Sequence, residues 1–197
     1  MTDPKSTVPM DEAAAQVRLM AERLALMHLA YARTLIEELG DEKGKALILK
    51  AVMEYGRRVG ERNRAGKQDL PYYGLHDDYR YRSKTSLDVR EIESEMSDEI
   101  NWEAFKVYGC VLSKIFKQYG EHELGALYCF VDAAKSMGAD PDHKLIHTAC
   151  ELCGDDHCAF DKLPTSADER RLFQQKDTRW KDIDPLLLKT SGMRQDG

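Results

Sequence analysis

The stretch at residues 85–107, TSLDVREIESEMSDEINWEAFKV, decides the fold class. Leu87, Val89 and Ile92 stand among charged residues as far as Ser97-Asp98-Glu99, a polar turn, and Ile100, Trp102 and Ala104 alternate again on the way to Val107. Successive side chains on a strand point to opposite faces, so this pattern predicts a β-hairpin with one wet face. At Cys110 the period changes. Residues 111–119 read as a helix closed by Gly120, and 121–137 as a second helix with Leu124, Leu127, Phe130, Val131 and Ala134 on its apolar side. Gly138-Ala139-Asp140-Pro141 stops that helix. Two more strands, 144–152 and 157–162, are joined by Gly154-Asp155-Asp156, a turn tripeptide.

Upstream, residues 10–39 read as a helix with Met20, Leu24, Met27, Tyr31 and Leu35 in one apolar stripe, ended by Gly40. Residues 41–63 form the next, with Leu47, Ile48, Ala51, Val52, Tyr55 and Val59 on its apolar side. Gly56 and Gly60 lie four apart on that helix. A glycine there costs about 1 kcal/mol against alanine, so something must approach closely, and another helix is the first expectation, a ligand the second. Residues 64–84 carry Gly66, Pro71 and Gly74 among Tyr72, Tyr73, Tyr79 and Tyr81. A connection of that length is either a binding loop or lid, or a surface loop packed down by its tyrosines.

These elements predict an α+β fold: an N-terminal helical pair on a small antiparallel sheet made of two hairpins with two intervening helices. Residues 1–9 read as a disordered N-terminus and 10–163 as a single domain. Residues 164–197 form a C-terminal helix and a tail whose Trp180 and Leu186-Leu187-Leu188 must dock on the domain or on a second subunit.

Composition narrows the function. The 197 residues are 42% hydrophobic and 32% charged, long enough to bury a core without metal or disulfide staples. The net charge of −6 and the lack of a sustained basic face argue against nucleic acid as a partner. No apolar run reaches the roughly 18 residues of a membrane span, and Met1-Thr2-Asp3-Pro4-Lys5 leads into no apolar h-region. A cytoplasmic protein, a homodimer and a small-molecule substrate are the expectations. In that compartment the five cysteines point to reduced thiols, metal ligands or a nucleophile rather than to a disulfide framework.

Two groups of residues could carry chemistry. Cys150, Cys153, His157 and Cys158 lie within nine residues, and Cys-x-x-Cys-Gly is a knuckle spacing of zinc sites, so zinc or iron is one reading. Small buried thiols beside a turn are the other. On a regular strand His147 and Cys150, three apart, would face opposite ways. Cys110, at the start of a helix, is the candidate nucleophile, because the positive end of the helix dipole favours a thiolate. His122 and Asp132 are its potential partners, and Cys129 shares a helix face with Asp132. His28, near the first apolar stripe, reads as a satisfied core histidine.

The segments ELGALYCFVD (residues 123–132), GADP (138–141) and GDDHCAF (154–160) resemble the L-2-amino-thiazoline-4-carboxylic acid hydrolase family. That family shows a cysteine just after the hairpin, matched by Cys110, a Tyr-Cys-x-x-Asp helix, and a terminal Gly-Asp-x-x-Cys-x-Phe hairpin. AVMEYGRRVG (51–60) is similar to the helix before its hairpin, and the likeness spans residues 35–162. A more distant likeness is to the 4-vinyl reductase ligand-binding domain. Two departures stand out: His147 where an arginine is expected, and Cys150 and Cys153 as additions.

The resemblance implies hydrolysis of a cyclic amidine. One route has the Cys110 or Cys129 thiolate attack the amidine carbon while Asp132 holds the ring nitrogen and His122 or His147 moves protons. The other has a metal in the cysteine–histidine cluster activate water. Tyr73, Tyr79, Arg82 and His147 are the expected substrate contacts. The non-catalytic alternatives are a small-molecule or metal sensor module and an assembly factor.

Overall fold

Glycines and a proline cut the chain into its helices much as the periodicity predicts. The computed structural model describes residues 9–65, 91–93 and 106–194. α1 (Met10–Leu39) and α2 (Asp41–Arg64) are separated by Gly40, whose φ of 79° suits the residue without a Cβ. β1 (Glu91–Glu93) and β2 (Lys106–Tyr108) pair antiparallel with Ile92 opposite Val107. The rest of the first hairpin, including Leu87, Val89, Ile100, Trp102 and Ala104, lies outside the described residues, as do Tyr73, Tyr79 and Arg82.

α3 (Val111–Gln118) follows with Cys110 as its N-cap residue. The predicted helix 121–137 is two helices, α4 (His122–Cys129) and α5 (Val131–Ala139), so three helices intervene between the hairpins. The break falls at Phe130 (φ −57°, ψ −12°), which is fully buried with its ring 6.0 Å from that of Trp180. β3 (His143–Ala149) and β4 (Cys158–Pro164) form the second hairpin, bridged by a 3₁₀ turn at Glu151–Cys153 and by Gly154 at φ 113°. The sheet order is β1-β2-β4-β3, antiparallel throughout. α6 (Ala167–Gln175) starts on a capping box between Ser166 and Glu169. A 3₁₀ turn (Thr178–Ile183) and α7 (Pro185–Thr190) complete the described chain.

The helical pair reaches the sheet through α5, which packs on α2 on one side and on β3 on the other. Gly56 and Gly60 make that approach possible. A Cβ at Gly56 would stand 2.4 Å from the Ala134 Cβ, one at Gly60 2.2 Å from the Lys135 carbonyl oxygen, and one on Gly138 2.7 Å from the Arg57 carbonyl oxygen. The glycines serve a helix–helix contact.

On α1 the buried residues are Ala25, Leu29 and Ala32, whereas the apolar stripe is largely exposed, with Met20 at 61%, Met27 at 50% and Tyr31 at 67%. The small residues let α1 lie close to its neighbours, so the helix is rotated away from its larger apolar side chains. The C-terminal elements enter the same core. Trp180 is fully buried, Leu172, Phe173, Ile183 and Leu187 join the cluster around Phe116 and Leu127, and the indole N–H donates to the Met137 sulfur at 3.2 Å. Among the described residues no helix is long and apolar enough to cross a membrane.

Candidate active site

All five cysteines are reduced. They gather in one place, where α4, the start of α3 and the β3–β4 connection meet. Cys150 is the hub, its thiol hydrogen-bonded to those of Cys129, Cys153 and Cys158, and Cys110 lies close enough to Cys129 to act on its charge. The two groups that looked separate in sequence are one cluster. Cys150 and Cys158 are buried, while Cys110, Cys129 and Cys153 are partly exposed and form its rim.

A β-bulge brings His147 to the same place. In the β3–β4 ladder His147 faces Phe160, but Ala149, two residues on, faces Ala159, so Thr148 is one residue too many. The extra residue reverses the alternation. His147 and Cys150, which a regular strand would send to opposite faces, both turn inward, at 6% and 1% exposure, and each feels the other's charge.

His147 is held between two carboxylates. Asp184, fully buried, accepts from the His147 backbone N–H and from ring Nδ1, both at 2.9 Å, and from the Leu187 N–H at 3.1 Å. The Asp184-Pro185 pair caps α7, so the end of a short helix fixes the ring. On the other side, Nε2 lies 3.8 Å from Asp132 Oδ2, and Asp132 also pairs with Lys135 at 2.8 Å. Burial by itself would lower the His147 pKa. The Asp184 hydrogen bond and the charges of Asp132 and Asp184 outweigh it and raise the pKa to about 9. The ring is therefore an imidazolium at neutral pH.

The thiols divide by their hydrogen bonds. Donation to Cys150 pushes the Cys129 thiol well above the ordinary range, and burial adds to this. Cys158 is raised for the same two reasons. Cys150 is lowered, foremost by the bond from Cys129 and further by Cys158 and the His147 cation, against the pull of Cys153 and burial. Cys153 is lowered by its bond with Cys150 and further by one with Thr190. Glu151, buried beside the cluster, accepts the Cys110 N–H at 3.1 Å, and its own N–H donates to Cys158 Sγ at 3.4 Å.

Cys110, Cys129, Asp132 and His147 thus share one site with Cys150, Cys153 and Cys158. The structure leaves the other two candidates outside it. His122 is exposed at the far end of α4, seven residues and about 10 Å along the axis from Cys129. It lines a surface cleft with Arg33, Lys45 and Glu123. His157 faces outward, bonded to Asp156, with its ring 5.5 Å from that of Tyr108. His157 stands just before β4, half-buried and paired with Asp156, whereas Cys158 is buried and bonded to Cys150. Among the described residues no three His, Cys, Asp or Glu side chains converge to hold a metal. His28 bonds to the Leu124 carbonyl at 2.7 Å and stacks edge-on against Phe116 and Tyr128; its pKa is lowered by burial.

Asp184 and Glu151 are the members of the site that motif reading missed. Only the Asp-Pro helix start marks Asp184, and it signals a cap rather than a charge partner 37 residues away.

A model of the L-2-amino-thiazoline-4-carboxylic acid hydrolase family matches residues 18–161. The match runs from within α1 to within β4 and takes in every member of the site except Asp184 and Thr190. No curated protein and no solved structure gives a significant match.

Proposed function

The chain belongs to the L-2-amino-thiazoline-4-carboxylic acid hydrolase family, and we propose that it opens a 2-aminothiazoline-carboxylate-like cyclic amidine through a cysteine thiolate. The observation that carries this reading is the array Asp184–His147–Asp132 set beside reduced thiols. A protonated amidine presents two N–H groups in a plane, and the carboxylate of Asp132, at 26% exposure, is the acceptor available to them. His147, charged and aimed at Asp132, is the acid that can meet a departing atom.

Cys110 is the nucleophile in this scheme. Of the rim thiols it stands at a helix start, whereas the proton of Cys129 is committed to Cys150. The Cys110 sulfur adds to the amidine carbon, and the resulting tetrahedral adduct collapses with cleavage of the ring carbon–sulfur or carbon–nitrogen bond. His147 gives its proton to the leaving atom. The opened substrate remains on Cys110 through a carbon–sulfur bond. Water, its proton passing to neutral His147, then adds to the same carbon and displaces the Cys110 thiolate. The product carries the water oxygen on the former amidine carbon, as a ureido group or a thiocarbamate.

The test is purified full-length protein with 2-amino-2-thiazoline-4-carboxylate, read by mass spectrometry for the gain of one water and by an aromatic disulfide reagent for a new thiol. Cys110→Ser and His147→Gln should each lower the rate at least 100-fold, and iodoacetamide should abolish it while chelators leave it unchanged. Full turnover after alkylation of Cys110 would refute the thiolate route. Tight binding without turnover would instead make the chain a small-molecule-binding module.

A further inference from the structure

Leu19, Leu26 and Leu39 apart, the large apolar side chains of α1 that the core leaves out fall on one line. Ala13, Val17, Met20, Leu24, Met27 and Tyr31 follow one another at alternating four- and three-residue steps, the heptad a/d spacing of a coiled-coil seam. The same helix buries Ala25, Leu29 and Ala32 on its other side, so α1 is apolar towards its own core and again towards solvent. Beside the seam, Leu47 (43% exposed) and Tyr55 (46%) of α2 extend the face. An open apolar cavity of about 210 Å³ lies between the two helices, with Leu24, Met27, Tyr31 and Tyr55 among its walls.

We propose that this face joins two copies of the chain, with α1 packed against α1 of the second copy through the heptad seam. Three observations commit it to a second copy. The spacing suits a helix as partner, and the helix known to carry the complementary spacing is α1 itself, which is what a two-fold, self-complementary interface requires. The area is right. Taking a buried aromatic side chain as about 200 Å² and an aliphatic one as about 150 Å², the exposed fractions expose roughly 500 Å² of apolar surface. A standard interface takes about 800 Å² from each partner, of which some 60% is apolar. The charge also fits: the seam from Ala13 to Tyr31 carries no ionised side chain, on a chain whose net charge of −6 makes two copies repel elsewhere.

The experiment is sedimentation equilibrium of the full chain, whose single-chain mass is 22.5 kDa. At about 20 μM, at physiological salt, the wild type should sediment at about twice that mass. Met20→Glu with Met27→Glu places charges on the seam at positions exposed in one chain, and should raise the dissociation constant at least 100-fold with the thermal midpoint of the dilute protein unchanged. Leu26→Glu, on a residue 40% exposed but turned well away from the seam, should leave the dimer intact. A monomeric wild type at that concentration overturns the proposal, and so does a dimer that survives the double substitution. In either case the face is not one that a second copy covers.

Discussion

Asp184→Asn exposes the electrostatics of the site most directly. Asp184 is fully buried and is the strongest partner of His147, whose pKa it helps to raise from 6.5 to about 9. A shift of that size corresponds to about 3 kcal/mol of folding free energy, at about 1.4 kcal/mol per pH unit. A raised folded-state pKa contributes its full stability below the unfolded value of 6.5 and loses it as pH climbs through about 9. The asparagine keeps the size of the side chain but not the charge, and its amide nitrogen cannot accept from His147 or Leu187. At pH 6 the variant should therefore be about 3–5 kcal/mol less stable than the wild type, the cost of breaking a buried pair. At pH 10, with the ring neutral in both proteins, the difference should shrink to about 1–2 kcal/mol, the bonds from neutral N–H groups to the carboxylate that remain. Urea unfolding at pH 6, 8 and 10 reads this directly. A difference that stays constant across that range, or grows with pH, would show that His147 is not an imidazolium held by Asp184.

Catalysis should follow the same ring: kcat/KM for the thiazoline substrate should fall as pH rises past about 9, and in His147→Gln that descending limb should be missing. Gly60→Ala should destabilise by about 2 kcal/mol despite alanine's better helix propensity, because its Cβ would meet backbone at 2.2 Å and α2 would have to part from α5; the thermal midpoint measures it. Trp180→Ala should cost about 3–5 kcal/mol in urea unfolding, since the indole is fully buried against Phe130 and Phe173.

Elements whose signals are local were legible in the sequence. The glycine at 40 ends α1, the Gly-Ala-Asp-Pro run ends α5, and the Gly154 turn joins β3 to β4 as the residues predict. What could not be read depends on contacts distant along the chain. Periodicity located an apolar stripe on α1 but not which of its two apolar sides the core would take, because that choice rests on how closely Ala25 and Ala32 let neighbouring helices approach. The inward turn of Cys150 rests on one surplus residue at Thr148, and a bulge leaves no mark in a seven-residue strand. His122 and Cys110 looked like partners because both begin helices, yet α4 carries His122 away from the thiols at its other end. Asp184 stood beyond every motif.

The position of Asp184 bears on how this site can be transplanted. The strongest counter-ion of His147, Asp184, comes from residues past the matched segment 18–161. An arginine keeps its charge at any physiological pH, whereas an imidazole keeps it only while a carboxylate stands against it. The cation at 147 and the short helix begun by Asp184 are thus one electrostatic unit, though 37 residues separate them. A chimera that takes β3 and β4 from this chain without α7 would receive the ring without its strongest counter-ion. A chimera given both pieces would receive a positive centre that alkali can switch off.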